Sequence, residues 1–344
     1  MRKLLFSVTL VLLMGPMMTG TVRADVVKLA ADHPERYVVV KGDTLWDIAN
    51  RFLATPWRWP DVWYVNPQID NPHLIYPGDV VYLVYVDGKP QLRMDRGPRK
   101  LSPEIRRAPL EHAIPSIPLQ DIKSFLSDNL VLERNTLEAA PYVVGGVNDR
   151  IVAGAGDKVY ARGSLADDSQ NFYGVYRPSR TYTDPDTGEF LGFETQSIGG
   201  GYLINTEGDI YTLQLKRTSE EVRVLDRVLP TQEEEIQSVF YPSAPDSPIT
   251  GRILSVLDGV SQIGQFDVVA INRGAREGLQ PGNLLQVYKA GEKLRDPVTK
   301  EQITLPSERG GIVMVFKVFE KVSYALVMQA ENVLAVMDEV RSPR

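Results

Sequence analysis

The chain has 344 residues, 43% hydrophobic and 24% charged, so it is globular rather than fibrous or wholly disordered, and long enough for more than one domain. Its formal net charge of −6 argues against nucleic acid, and no basic cluster suits an anionic lipid surface. Cysteine is absent, which removes disulfides, thiolate metal ligands and cysteine nucleophiles.

The first 24 residues read as an address. Arg2 and Lys3 precede an apolar run from Leu4 to Met14, broken by Gly15-Pro16, with Val22 and Ala24 placed for cleavage before Asp25. This pattern predicts a secretory signal peptide over residues 1–24. The run is shorter than the ~20 residues of a membrane span, and no cysteine follows it to carry a lipid. Cleavage would take the formal charge to −9 by removing Arg2, Lys3 and Arg23.

Tyr37 to Val84 reads as strand, turn, helix, second helix, turn, strand. Tyr37 to Val40 is a β-branched run, ended by Lys41-Gly42-Asp43. Asp43 or Thr44 can cap a helix whose buried face is Leu45, Ile48, Ala49 and Phe52. Pro60 suits the first turn of a second helix, which Asn66-Pro67 ends. Tyr76-Pro77-Gly78-Asp79 has type II turn chemistry, and Val80 to Val84 closes the unit. GDTLWDIA, VNP and LIYPGD in this order resemble a LysM domain. The resemblance implies a βααβ fold binding N-acetylglucosamine-containing glycans, chiefly peptidoglycan. By position it assigns the groove to Gly42, Asp43, Thr44 and Leu45, facing Asn71, Pro72, His73, Leu74 and Ile75. The stretch from Phe52 to Asn66, with Trp57, Trp59 and Trp63, is longer than the family's common spacing. A βααβ module without a ligand, or one turned to protein contact, is the alternative.

Residues 87–118 carry six prolines from Pro90 to Pro118 among arginines and lysines, and read as a semi-stiff Pro-rich linker. A short helix with Leu119, Ile122, Phe125 and Leu126 on one face can follow. After Ala140 brief β runs end in glycine. An internal repeat then appears. Val175-Tyr176-Arg177 returns as Val287-Tyr288-Lys289, and Asp184-Pro185 to Glu189 returns as Asp296-Pro297 to Glu301. Gly199, Asp226 and Val228 match Gly311, Asp338 and Val340, always 112 residues on. Matching Gly156-Asp157 with Gly282-Asn283 predicts an insertion in the first copy near Ser164 to Phe172. The expected class is therefore α+β multidomain. It comprises a LysM domain at 37–86, a linker at 87–118, and two related mostly-β domains at 119–230 and 249–343. Glu233-Glu234-Glu235, in the proline-rich join between them, reads as a solvated face rather than a metal site.

Catalytic patterns are missing. His33, His73 and His112 show no zinc-ligand spacing, and no G-x-S-x-G or S-x-x-K motif stands in a suitable context. Gly199-Gly200-Gly201 is not followed by Lys-Ser/Thr, so it is no phosphate cradle. We expect no enzyme, no metal and no cofactor. The leader, the LysM motifs and the paired VY…DPxT repeats together resemble the LysM-containing, type IV pilus secretin-associated protein family. The repeats are also similar to the C-terminal region of the flagellar assembly protein T family. The resemblance implies a periplasmic adaptor, arranged as a ring, that ties the outer-membrane secretin to peptidoglycan. The alternatives are an accessory of a peptidoglycan hydrolase, or a glycan-cleaving enzyme using carboxylates alone.

Overall fold

The computed structural model describes residues 27–63, 75–95, 129–147, 150–165, 170–230, 240–257, 262–289, 291 and 293–343. The expected signal peptide, most of the linker, the helix around Ile122 and the acidic triplet lie outside the described residues. Among the described residues the fold is mostly β, with 51% in strands and 10% in helices, which corrects the expected α+β class. Among the described residues, α-helices are confined to three short segments, because almost everything described after Ala140 has strand alternation.

In the N-terminal module, β1 (Arg36–Val38), β2 (Val80–Val86) and β3 (Lys89–Asp95) form an antiparallel sheet in that order. The third strand occupies residues assigned above to the linker. Leu92 and Met94 alternate inward, and Pro90 is tolerated because β3 is an edge. Helix α1 (Leu45–Phe52) buries Leu45, Ile48, Ala49 and Phe52. A 3-10 turn (Pro56–Arg58) leads into α2 (Trp59–Trp63), with Pro60 in its first turn. Trp59, Val62, Trp63, Ile75 and Val81 complete this core.

The first repeat opens with β4 (Leu130–Leu132) and α3 (Arg134–Ala139). Next come β5 (Tyr142–Gly146), β6 (Val152–Ala153), β7 (Lys158–Arg162), β8 (Phe172–Thr183) and β9 (Phe190–Glu207). β10 (Ile210–Thr218), β11 (Val222–Arg223) and β12 (Arg227–Pro230) finish it. The sheet runs β10-β7-β5-β12-β8-β9, and β10 also pairs with β9, so six strands close a ring with β4 on its outer edge.

The second repeat has β13 (Thr250–Val256), β14 (Gln262–Ile263), β15 (Val268–Ile271), β16 (Leu284–Lys289) and the hairpin β17 (Lys293–Arg295) with β18 (Gln302–Thr304). β19 (Glu308–Val318), β20 (Ser323–Ala330), β21 (Leu334–Ala335) and β22 (Glu339–Arg341) follow. Its barrel closes as β13-β15-β20-β19-β16-β22. The pairings match those of the first repeat: Phe172 opposes Tyr202 as Leu284 opposes Met314, 112 residues later. Upstream the offset is 110, since Val143 opposes Ala161 as Ile253 opposes Ile271. The expected insertion in the first copy is thus reversed. Gly156-Asp157 corresponds to Phe266-Asp267, and the second copy is two residues longer, in the loop between β15 and β16. Gly199 and Gly311 recur because a Cβ there would run into the carbonyl oxygens of Arg217 and Gln329.

The repeats differ on their outer faces. In β7 burial alternates, so the barrel is filled inside and solvated outside. β15 and most of β19 and β20 are buried on both faces. Val269, Ile271, Val287, Val313, Val315 and Val327 fill the second barrel. Val268, Ala270, Leu284, Met314, Phe316, Leu326 and Met328 face outward into another buried cluster, which also takes in Tyr182 and Leu191 of the first repeat, Phe240, and Trp46.

Candidate functional site

The turn after β1 is built by Asp43. Its Oδ2 accepts from the Val40 amide at 2.8 Å and from the Tyr37 hydroxyl at 2.9 Å. Burial and this hydrogen bond hold the Tyr37 phenol above its ordinary value, and the Arg51 guanidinium lies 4.5 Å from the centre of its ring. Gly42 takes a φ of +101°, a conformation that strains any residue with a Cβ. Thr44 caps α1: its Oγ1 accepts from the Asp47 amide at 3.1 Å, while Asp47 Oδ2 accepts from the Thr44 amide at 3.0 Å.

The second wall starts at Ile75. The Tyr76 amide donates to Asp79 Oδ2 at 3.0 Å, and Gly78 has a φ of +95°. Val39 N donates to Asp79 O at 2.9 Å and Gly78 N to Val39 O at 2.7 Å. These bonds stitch the Tyr76–Asp79 turn beside the segment leading to Gly42. The structure therefore places Ile75, the last residue of the second expected wall, in one core with Leu45 of the first. Asn71, Pro72, His73 and Leu74 lie outside the described residues.

Among the five described candidates, only Gly42 is exposed; Asp43, Thr44, Leu45 and Ile75 are buried. Their side chains shape the turn, cap the helix or fill the core. The chemistry left for a ligand is backbone: the turn peptides and the Leu45 and Trp46 amides that open α1, since the Thr44 side chain already takes the Asp47 amide. Such amides suit an acetamide carbonyl or a hydroxyl. Among the described residues no group of three or more His, Asp or Glu could hold a metal, and no helix is long and apolar enough to cross a membrane.

Sequence reasoning missed how the module is mounted. All four tryptophans of the chain lie in it, and they divide their work. Trp59 and Trp63 are core. Trp46 is buried in the cluster on the outer face of the second barrel, and Trp57 packs against that cluster. Trp59 also meets Tyr241 at a centroid distance of 6.2 Å. The signal was available in part, since Trp46 does not belong to the apolar face of Leu45, Ile48 and Phe52.

Residues 37–83 match the LysM domain family model. The uncharacterized protein YqbP of Bacillus subtilis (strain 168) is 40% identical over 55 residues, covering 13% of this chain and 25% of YqbP. The chain thus spans about a quarter of the length of that relative, and the similarity concerns the N-terminal module. LysM is a binding domain, not a catalytic one, and supports binding to peptidoglycan or a related glycan.

Proposed function

We propose that this chain is a non-catalytic periplasmic adaptor that grips peptidoglycan through its LysM module and holds the outer-membrane secretin of the type IV pilus machinery through its barrels. The wall-facing residues in this reading are Gly42, Asp43, Thr44 and Leu45 on one side and Asn71, Pro72, His73, Leu74 and Ile75 on the other. The buried members set the backbone that contacts N-acetylglucosamine. The domain division is part of the reading: a module from residue 37 that extends past the expected 86 to the end of β3, a tether from there to residue 118, and repeats at 119–230 and 249–343.

One observation supports it most. Trp46 and Trp57 seat the glycan reader on the second barrel through buried apolar surface, and the first repeat seats its hairpin on the same barrel. A pull on the wall is then carried by packed side chains into both barrels, as an anchor requires. An enzyme accessory would need only a tethered module.

The test is a two-sided pull-down with the full chain. It should pellet with purified peptidoglycan and retain the secretin from detergent-solubilised outer membranes. Leu74→Asp should weaken the first interaction and leave the second intact. A chain that pellets with the wall but retains a hydrolase instead of the secretin would replace this reading with the accessory one.

A further inference from the structure

The hairpin between β8 and β9 is the joint between the repeats. Asp184 Oδ2 accepts from Asn272 Nδ2 at 2.9 Å and from Arg273 Nη1 at 3.2 Å. Asp186 is paired with Arg252 at 2.9 Å, and Glu189 with Arg276 and Lys321 at 2.8 and 2.9 Å. Tyr182 hydroxyl lies 2.9 Å from Ser255 Oγ. Arg273 and Arg276 sit in the loop that is two residues longer in the second repeat.

The same hairpin exists in the second repeat, 112 residues on. Asp296 organises it as Asp184 organises the first, accepting from the Val298 and Thr299 amides at 2.7 and 3.0 Å, where Asp184 accepts from those of Asp186 and Thr187. Lys300 holds φ +63° where Gly188 holds +74°. Yet residues 297–308 are all exposed, Val298 at 85%.

The receiving face also has a counterpart. On the first barrel, Tyr160, Phe172, Tyr202 and Ile204 stand where the second has Ala270, Leu284, Met314 and Phe316. Tyr160, Tyr202 and Ile204 are exposed by 37%, 38% and 48%. Two of the polar contacts change in step, while the Glu189 contact does not: Asp209 stands at the position of Lys321, and the loop that carries Arg276 is shorter in the first repeat. Val298 replaces Asp186, and its partner position, Arg252, becomes Tyr142, so an ion pair becomes an apolar pair. Arg162 stands at the position of Asn272; within the chain it pairs with Asp209 at 2.7 Å, and it is more than half exposed, so docking would re-aim it to Asp296.

We propose that the β17–β18 hairpin of one chain docks on the outer face of the first barrel of a second copy, repeating between molecules the joint that each molecule makes within itself. The contact is heterologous, so each copy keeps one free hairpin and one free face, and assembly proceeds head to tail. Glycan readers on successive copies then bind one wall with multiplied effective concentration.

The absence of native cysteine makes the test specific. Val298→Cys and Tyr142→Cys full-length chains are oxidised alone and mixed, with circular dichroism checking that both fold. Mixed samples should give a cross-linked dimer and the single variants none; a chain carrying both changes should give a ladder. Sedimentation of the native chain should show concentration-dependent association, weakened about tenfold, a shift of 1.4 kcal/mol, by Val298→Asp. Cross-linking of Val298→Cys with itself as efficient as in the mixture would mean a two-fold contact and overturn the proposal. So would a native chain that stays monomeric at every soluble concentration.

Discussion

The two barrels share strand order, turn chemistry and interior, but not their exteriors. β7 of the first barrel puts Lys158, Tyr160 and Arg162 outside; β15 of the second puts Val268 and Ala270 there, fully covered. The chain holds two copies of one barrel. Apolar residues at the outward positions make the second a hub for the hairpin, for Phe240 and for the N-terminal module. The strand pattern keeps the fold, and the alternate residues decide what the fold is attached to.

The sharpest way to break this comparison is to place a charge at matched outer positions. Met314→Asp buries a carboxylate in the hub cluster and should cost about 3–5 kcal/mol. Tyr202→Asp, 112 residues earlier and 38% exposed, should cost under about 1 kcal/mol. Urea midpoints of dilute chains followed by circular dichroism check both. Equal losses would mean that the outer faces are equivalent.

Next in size is the glycan module's seat. Trp46→Ala removes an indole from the junction, worth about 2–4 kcal/mol, while the module keeps its own core of Ile48, Phe52, Trp59 and Trp63. Because every tryptophan lies in this module, indole emission follows it alone. The variant should show an emission transition earlier than the circular dichroism transition of the barrels, where the parent shows one.

The paired hairpin aspartates give a smaller contrast. Burial pushes the Asp184 carboxyl up, but the Asp186 and Thr187 amides, Arg273 and Asn272 outweigh it and hold it below its usual value. Asp184→Ala should cost about 2 kcal/mol, since it strips a covered charge network. Asp296→Ala removes turn bonds only and should cost a small fraction of that. Thermal unfolding of both variants checks the ranking.

The smallest effect is a pH dependence. Hydrogen bonds from Arg276 and Lys321 lower the Glu189 carboxyl from 4.5 to about 2. The folded value is depressed, so this contribution is fully present above about pH 4.5 and fades as pH falls towards about 2. Glu189→Gln should flatten the acid limb of the stability profile slightly; Glu301→Gln, in the free hairpin, should not. Glu189 is partly exposed, so solvent screening keeps the effect small.

The N-terminal module was legible because its turns have residue-specific chemistry: Gly42, the Thr44 cap and the Tyr76–Asp79 turn are read from single letters. The repeat was legible for the same reason at Asp184, Gly199 and Asp226. β3 was missed because Pro90 and Arg93 outweighed the period-two pair Leu92 and Met94. The insertion was misplaced because Gly282-Asn283 looked like the partner of Gly156-Asp157, although Phe266-Asp267 makes the same turn without the glycine. The docking of the barrels depends on contacts between distant residues and had one available sign, the unbroken apolar run from Ile312 to Phe316, which marks a strand buried on both faces. The candidate site was legible as positions but not as chemistry, since burial of Asp43, Thr44 and Leu45 leaves backbone as the contact.

That last point carries the most direct test. Amide hydrogen exchange of the full chain, with and without N-acetylglucosamine oligomers, reads backbone contacts themselves. Slowing should concentrate in the turn from Lys41 through the first turn of α1 and in the 71–76 segment, with both barrels unchanged. Protection confined to the barrels, or none at saturating oligomer, would contradict a glycan reader mounted on the second barrel.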